Sequence, residues 1–298
     1  MVNEYLLKVY WNESYKKLGE LFSNLKVPCA CVKGEVLSLQ AYGVEGKRRS
    51  TDIDLLVSRE NLSDIFEELK KIGFKSTSSS RASEVTLMSC SHQISPWVYN
   101  MPIWGKIVLD LNFDVFWGEY EGEHIDIKEF LSDVVPIKIY GTTVKTLSIY
   151  KTIIHLALHH YKDMNSLYLL STKNSIRVNM FEDIYNLIKN NESIINVERL
   201  YDICEQYKVI PYMYYILYYT GKIFNDELIN KYIGVFKSAE GDFLLNKYGL
   251  CDKERKKWKC DFNTRLNSND IYKLIESDLS ENDKNKISFN KKIFLEEE

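Results

Sequence analysis

Nothing in this 298-residue chain approaches the run of roughly 20 apolar residues that a membrane-spanning helix requires, so no such span is expected. Neither sign of charge is in excess: 39 Lys and Arg against 42 Asp and Glu leave −3 at pH 7. That balance argues against a general nucleic-acid binder, which needs a basic field to hold a phosphate backbone. The basic stretch Lys253 to Lys259 reads as a solvated helix face. The start, Met1-Val2-Asn3-Glu4, has neither a basic n-region nor an apolar h-region, so no signal peptide and a cytoplasmic location are expected. The six cysteines include no Cys-x-x-Cys and read as reduced, mostly buried thiols, Cys29 and Cys31 among them as small hydrophobes on one strand face. Only 5 prolines occur amid abundant Tyr, Lys, Ile and Asn, which looks like an AT-rich coding bias more than a functional signal. There is no Gly-x-x-x-x-Gly-Lys-[Ser/Thr] phosphate loop and no Gly-x-Ser-x-Gly elbow. His155 and His159 stand one helical turn apart, but His155-Leu156-Ala157-Leu158-His159 lacks the glutamate of a zinc peptidase.

What the chain does have is Asp52-Ile53-Asp54 running into Leu55-Leu56-Val57. On a strand the two carboxylates share one face, about 6–7 Å apart, and repel unless a cation neutralises them. A hard divalent cation such as Mg²⁺, which prefers oxygen ligands and usually holds substrate phosphates too, answers that need. Upstream, Lys33-Gly34 closes the apolar run Pro28 to Val32, and Arg48-Arg49-Ser50-Thr51 leads into the acidic pair. Glycine lets backbone approach a ligand closely, and the cations suit a polyanion. In Lys106 to Asp114, strand alternation puts Val108, Asp110, Asn112 and Asp114 on one face and Ile107, Leu109, Leu111 and Phe113 on the other.

The length permits two domains, and 45% hydrophobic with 27% charged residues is ordinary for a globular protein. The pattern predicts a helix over 3–25, strand 28–33, helix 35–43, strand 52–58 and a helix from Asn61 to about Lys71 ended by Gly73. Strands are expected over 74–77, 84–90 and 106–115, then a hairpin of 136–140 and 142–145 around Gly141. Helical segments follow at 148–161, 180–190, 195–207, 210–223 and 226–233, so the domain boundary is placed near 145. Residues 280–298 read as an added strand or a disordered tail.

Lys33-Gly34-Glu35-Val36-Leu37, Tyr42, Arg48 and Asp52-Ile53-Asp54-Leu55-Leu56-Val57 together resemble the DNA polymerase β-like nucleotidyltransferase superfamily. Within it, the likeness is to the bacterial family labelled uncharacterised nucleotidyltransferase. The resemblance extends through Ile107-Val108-Leu109-Asp110-Leu111 and through Thr146 to His159, spanning roughly 28–187. It implies an α+β fold: a small mixed sheet in residues 1–145, then a helical domain, 146–298, forming the other wall of a cleft. It implies Asp52, Asp54 and Asp110 as catalytic and metal-binding residues, with Asp114 the alternative third carboxylate. They would share two Mg²⁺ ions (Mn²⁺ as a substitute) about 3.5–4 Å apart. Lys33, Gly34, Arg48, His159 and Lys162 would meet the nucleotide. Two departures stand out: Glu35 replaces the serine common after the turn glycine, and Asn112 replaces a frequent histidine. The implied activity moves NMP from an NTP to an acceptor hydroxyl, phosphate or amine and releases pyrophosphate. A small molecule or peptide is the favoured acceptor. A tRNA-directed toxin and a non-catalytic nucleotide- or partner-binding module remain open.

Overall fold

The computed structural model describes residues 4–118, 120–172 and 176–295. The chain forms two compact units, Met1–Gly118 with His124–Thr152, and Glu119–Glu123 with Ile153–Glu298.

The first unit begins with α1 (Glu4–Asn24), β1 (Cys29–Val32), α2 (Gly34–Tyr42), β2 (Ile53–Val57) and α3 (Leu62–Lys71). It continues with β3 (Lys75–Ser76), α4 (Arg81–Cys90), β4 (Trp97–Met101), β5 (Gly105–Asn112), α5 (Ile127–Phe130), β6 (Val135–Ile139) and β7 (Thr142–Thr146). The seven strands form one sheet in the order β3-β4-β5-β2-β1-β7-β6. β2 runs parallel to β5 and β1 parallel to β7, while the remaining neighbours are antiparallel. The sheet is mixed, as expected. Leu18 and Leu21 of α1 and Ile65 and Leu69 of α3 join Leu55, Val57, Leu109 and Leu111 in the core. The alternation in β5 is the one the sequence predicts: Ile107, Leu109 and Leu111 are buried while Val108 and Asp110 are half-buried on the opposite face. The hairpin turn between β6 and β7 uses Tyr140 (φ 47°) and Gly141 (φ 76°), the left-handed pair that matches strand twist in a two-residue loop.

The second unit is mainly helical. α6 (Ile149–Asn165) straddles the division, followed by α7 (Leu167–Ser171), α8 (Val178–Lys189), α9 (Val197–Gln206), α10 (Ile210–Phe224), α11 (Glu227–Phe236) and α12 (Ala239–Leu244). A two-stranded ladder of β8 (Lys247–Tyr248) and β9 (Lys256–Lys257), then α13 (Phe262–Leu266) and α14 (Glu281–Leu295), complete it. α10 is its central element, with Met213, Tyr214, Tyr215, Ile216, Leu217 and Tyr219 all buried. No described helix is long and apolar enough to cross a membrane.

Three local expectations are corrected, and one strand was not foreseen. Residues 84–90, read as a strand from Val85 and Thr86, belong to helix α4, which the Ser80 hydroxyl caps by accepting from Ser83 N at 3.1 Å. β4 was not foreseen; its Trp97 and Met101 are buried, and it pairs with β5 across the turn before Gly105. The tail forms helix α14, because Ser280 and Asp283 make a reciprocal cap in which Ser280 N donates to Asp283 Oδ2 and Asp283 N to Ser280 Oγ. Residues 296–298 lie outside the described part. The Lys253–Lys259 stretch is a turn and the short β9 rather than a helix face, and its cations pair with Glu121, Asp252, Asp283 and Asp278.

Candidate active site

Parallel pairing of β2 with β5 sets Asp54 directly beside Asp110, in register. Antiparallel pairing of β1 with β2 sets Val32 opposite Asp54, so the chain leaves β1 at Lys33 beside the same carboxylate. Lys33 Nζ lies 2.6 Å from Asp54 Oδ1, and Asn112 Nδ2 donates to that oxygen at 3.2 Å. Asp52, just before β2, accepts from Ser50 Oγ at 3.0 Å. The first unit therefore brings together Lys33, Gly34, Asp52, Asp54 and Asp110, all foreseen, with Ser50 and Asn112, which were not assigned roles. Asn112 was visible in the sequence only as the loss of a histidine.

The backbone at the turn is strained. Lys33 has φ 57° and ψ −153°, a region that non-glycine residues avoid, and Gly34 follows at φ 47°. A Cβ on Gly34 would also stand 3.2 Å from Ser50 Oγ. α2 starts here with no side chain capping it. A helix start without a cap presents backbone N–H groups and a positive dipole end, which suit an anion.

Burial and mutual repulsion raise the carboxyls of Asp52 and Asp110 at the site. Burial, then the charges of Asp54 and Asp52, push the Asp110 carboxyl up to about 7, against the lowering effect of Lys33. Asp52 is also raised, first by burial and then by Asp54. Asp110 Oδ1 and Asn112 Oδ1 are buried with no hydrogen-bond partner among the described residues. Unmatched buried acceptors are costly. These oxygens and the carboxylates of Asp52 and Asp54 are hard donors of the kind a divalent cation takes, so the residues fit the metal the family likeness implies by chemistry, although Asp52, Asp54 and Asp110 are not among the described ligand atoms that close to within 4.8 Å of one another.

Glu35 does a different job from the serine it replaces. It is 2% exposed, and its Oε2 accepts from Gly46 N and from Tyr140 OH, each at 2.8 Å. It thus ties the basic loop 43–51 to the β6–β7 turn. Ser38 Oγ accepts from Lys47 N and Arg48 N, holding the same loop, and the Arg48 charge acts on Glu35. Asp114 is engaged apart from the others: its Oδ1 accepts from Phe116 N and its Oδ2 lies 2.6 Å from His124 Nδ1. The thiols of Cys29 and Cys31 are buried, and burial pushes Cys29 to about 12 and Cys31 up as well. His159 and Lys162 are on α6 in the second unit, where both approach Asp163, at 3.3 and 3.4 Å.

A mixed sheet thus sets Asp54 and Asp110 side by side on two adjacent parallel strands, with Asp52 just before the first of them, next to a strained Lys-Gly turn. The model of the uncharacterised nucleotidyltransferase family matches residues 8–225, and the chain belongs to that family. No curated protein matches it. Among solved structures, an antigenic nucleotidyltransferase-like protein from Paracoccidioides brasiliensis is similar at 16% identity, covering 59% of this chain and 74% of its own, with a TM-score of 0.37.

Proposed function

We propose that the protein transfers a nucleoside monophosphate from an NTP to an acceptor, using Asp52, Asp54 and Asp110 as its catalytic carboxylates. The observation that carries this reading is the pair of orphaned buried oxygens, Asp110 Oδ1 and Asn112 Oδ1, beside Asp54. Mg²⁺ ions, or Mn²⁺ in their place, held by Asp52, Asp54 and Asp110, would supply Lewis-acid stabilisation of the phosphoryl oxygens.

The chain's own groups do the rest. Gly34 lets the phosphates approach the start of α2, and Lys33 exchanges its carboxylate partner for a phosphate oxygen. Arg48, from the loop that Glu35 and Ser38 hold, adds a second cation for the β- and γ-phosphates. Asn112 and Ser50 keep the Asp54 and Asp52 carboxylates oriented. The acceptor oxygen or nitrogen attacks the α-phosphorus, the bond to pyrophosphate breaks, and the Asp110 carboxylate helps to take the acceptor's proton. His159 and Lys162 enter the proposal as contributors to nucleotide affinity on the strength of the family likeness alone. A small molecule or a peptide is the proposed acceptor, since the chain's acidic balance offers little to a long nucleic acid.

Incubation of the protein with labelled NTPs, Mg²⁺ and pools of small metabolites, peptides or tRNA tests the reading. Pyrophosphate release should require an acceptor and vanish in Asp54→Ala. Full turnover by Asp54→Ala overturns it. Nucleotide binding without turnover on any pool favours a binding module, and transfer to tRNA replaces the small acceptor with RNA.

A further inference from the structure

We propose a zinc site on α6, formed by His159, His160 and Asp163, separate from the carboxylates on β2 and β5. One ligand atom from each of the three residues lies within 4.8 Å of the others. Helix geometry explains why. At 100° per residue, Asp163 is i+4 from His159 and i+3 from His160, so it falls angularly between the two imidazoles and about one turn further along. His159 Nε2 is already 3.3 Å from Asp163 Oδ2, and the two imidazole centroids are 5.7 Å apart. Ligands about 2.0–2.2 Å from a tetrahedral zinc lie about 3.4 Å from one another, so the His159–Asp163 pair is at that spacing and the buried His160 ring would have to shift toward them.

The chemistry selects the metal. Two imidazoles and one carboxylate form a nitrogen-rich set that suits zinc, whereas Mg²⁺ prefers the all-oxygen set on β2 and β5. Lys162 Nζ lies 3.4 Å from Asp163 Oδ1, the carboxylate oxygen turned away from His159. That contact holds the carboxylate so that Oδ2 faces the imidazoles, the orienting role outer partners play around metal ligands. Three protein ligands leave a fourth position for water or a substrate group. His160 is 3% exposed, while His159 and Asp163 are half-buried, so the ion would be reached from the His159 side.

The site gives His159 a task besides nucleotide contact, and the two separate experimentally. Full-length protein stripped with a chelator is titrated with ZnCl₂ by calorimetry, and with CoCl₂ while visible d–d absorption is followed. Wild type and Asp54→Asn should each take one zinc equivalent with the cobalt spectrum of a nitrogen-containing site. His159→Gln and Asp163→Asn, both at half-buried positions, should bind at least about tenfold more weakly, with helical content checked by circular dichroism. Unchanged zinc uptake in both variants overturns the proposal, as does uptake lost only in Asp54→Asn, which would place the ion at the carboxylates. A His159→Gln variant with weakened NTP binding and intact zinc uptake overturns it too, in favour of nucleotide contact.

Discussion

Asp110 carries the clearest pH signature in the chain. Its carboxyl titrates near 3.8 when unfolded and about 7 when folded, raised by burial and by Asp54 and Asp52. Between those values the folded state binds more protons at this group, so its contribution to stability is fully present at low pH and is lost as pH rises toward 7. In chelator-treated protein the melting temperature should therefore drop across this window more steeply in wild type than in Asp110→Asn. Equal slopes would remove Asp110 from the cluster. Arg265 gives a second residue-scale test. It is 1% exposed, donates to Tyr219 OH at 3.0 Å, and its guanidinium lies 4.9 Å from the Trp258 ring and 5.5 Å from that of Phe262. Arg265→Ala should lose about 3 kcal/mol or more in urea denaturation, through lost packing and cation–π contact. Arg265→Met, which restores most of the volume without burying a charge, should recover much of it; equal losses would mean the charge itself matters most.

At the scale of elements, Ser80 decides what residues 81–90 become. Its hydroxyl supplies the first turn of α4 with an acceptor, and only Leu87 of that helix is buried, so capping is a large share of what holds it. Ser80→Ala should cost about 1 kcal/mol, seen as faster amide exchange in 81–90 while β5 keeps its protection. Unchanged exchange would mean packing holds α4 instead. This element also shows where the sequence was legible. α1, β1, α2, β2 and α3 read correctly because each has a strong period and a punctuating residue, such as Gly34 or Gly73. α4 misled because β-branched Val85 and Thr86 outweighed a serine cap that has no apolar stripe behind it. β4 was missed because Trp97 and Met101 gain their meaning only from β5 beside them. The placement of Asp54 and Asp110 on neighbouring strands was legible because strand propensity on β2 and alternation on β5 are local. Their neighbours Ser50 and Asn112, and the turned-away Glu35, depend on pairing and loop closure that no local pattern encodes.

For the whole molecule, the proposed site would link metal, nucleotide and stability. Asp52, Asp54 and Asp110 concentrate negative charge in a half-buried setting that Lys33 only partly offsets. Mg²⁺ alone should bind weakly, because the ion keeps several waters and needs phosphate oxygens to complete its shell. An NTP alone would face the carboxylates' repulsion. Together they bind a state that neither reaches alone, and ligand binding stabilises the fold by mass action. The rise in melting temperature with Mg²⁺ and NTP should thus exceed the sum of the separate rises. Asp52→Asn should abolish that excess and, by relieving repulsion, raise the metal-free melting temperature. Lys33→Met should lower the metal-free melting temperature, because it leaves Asp54, 7% exposed, without its cation. If Asp52→Asn merely weakens the fold and leaves the excess intact, the aspartates are structural, and the nucleotide, if it binds, binds elsewhere.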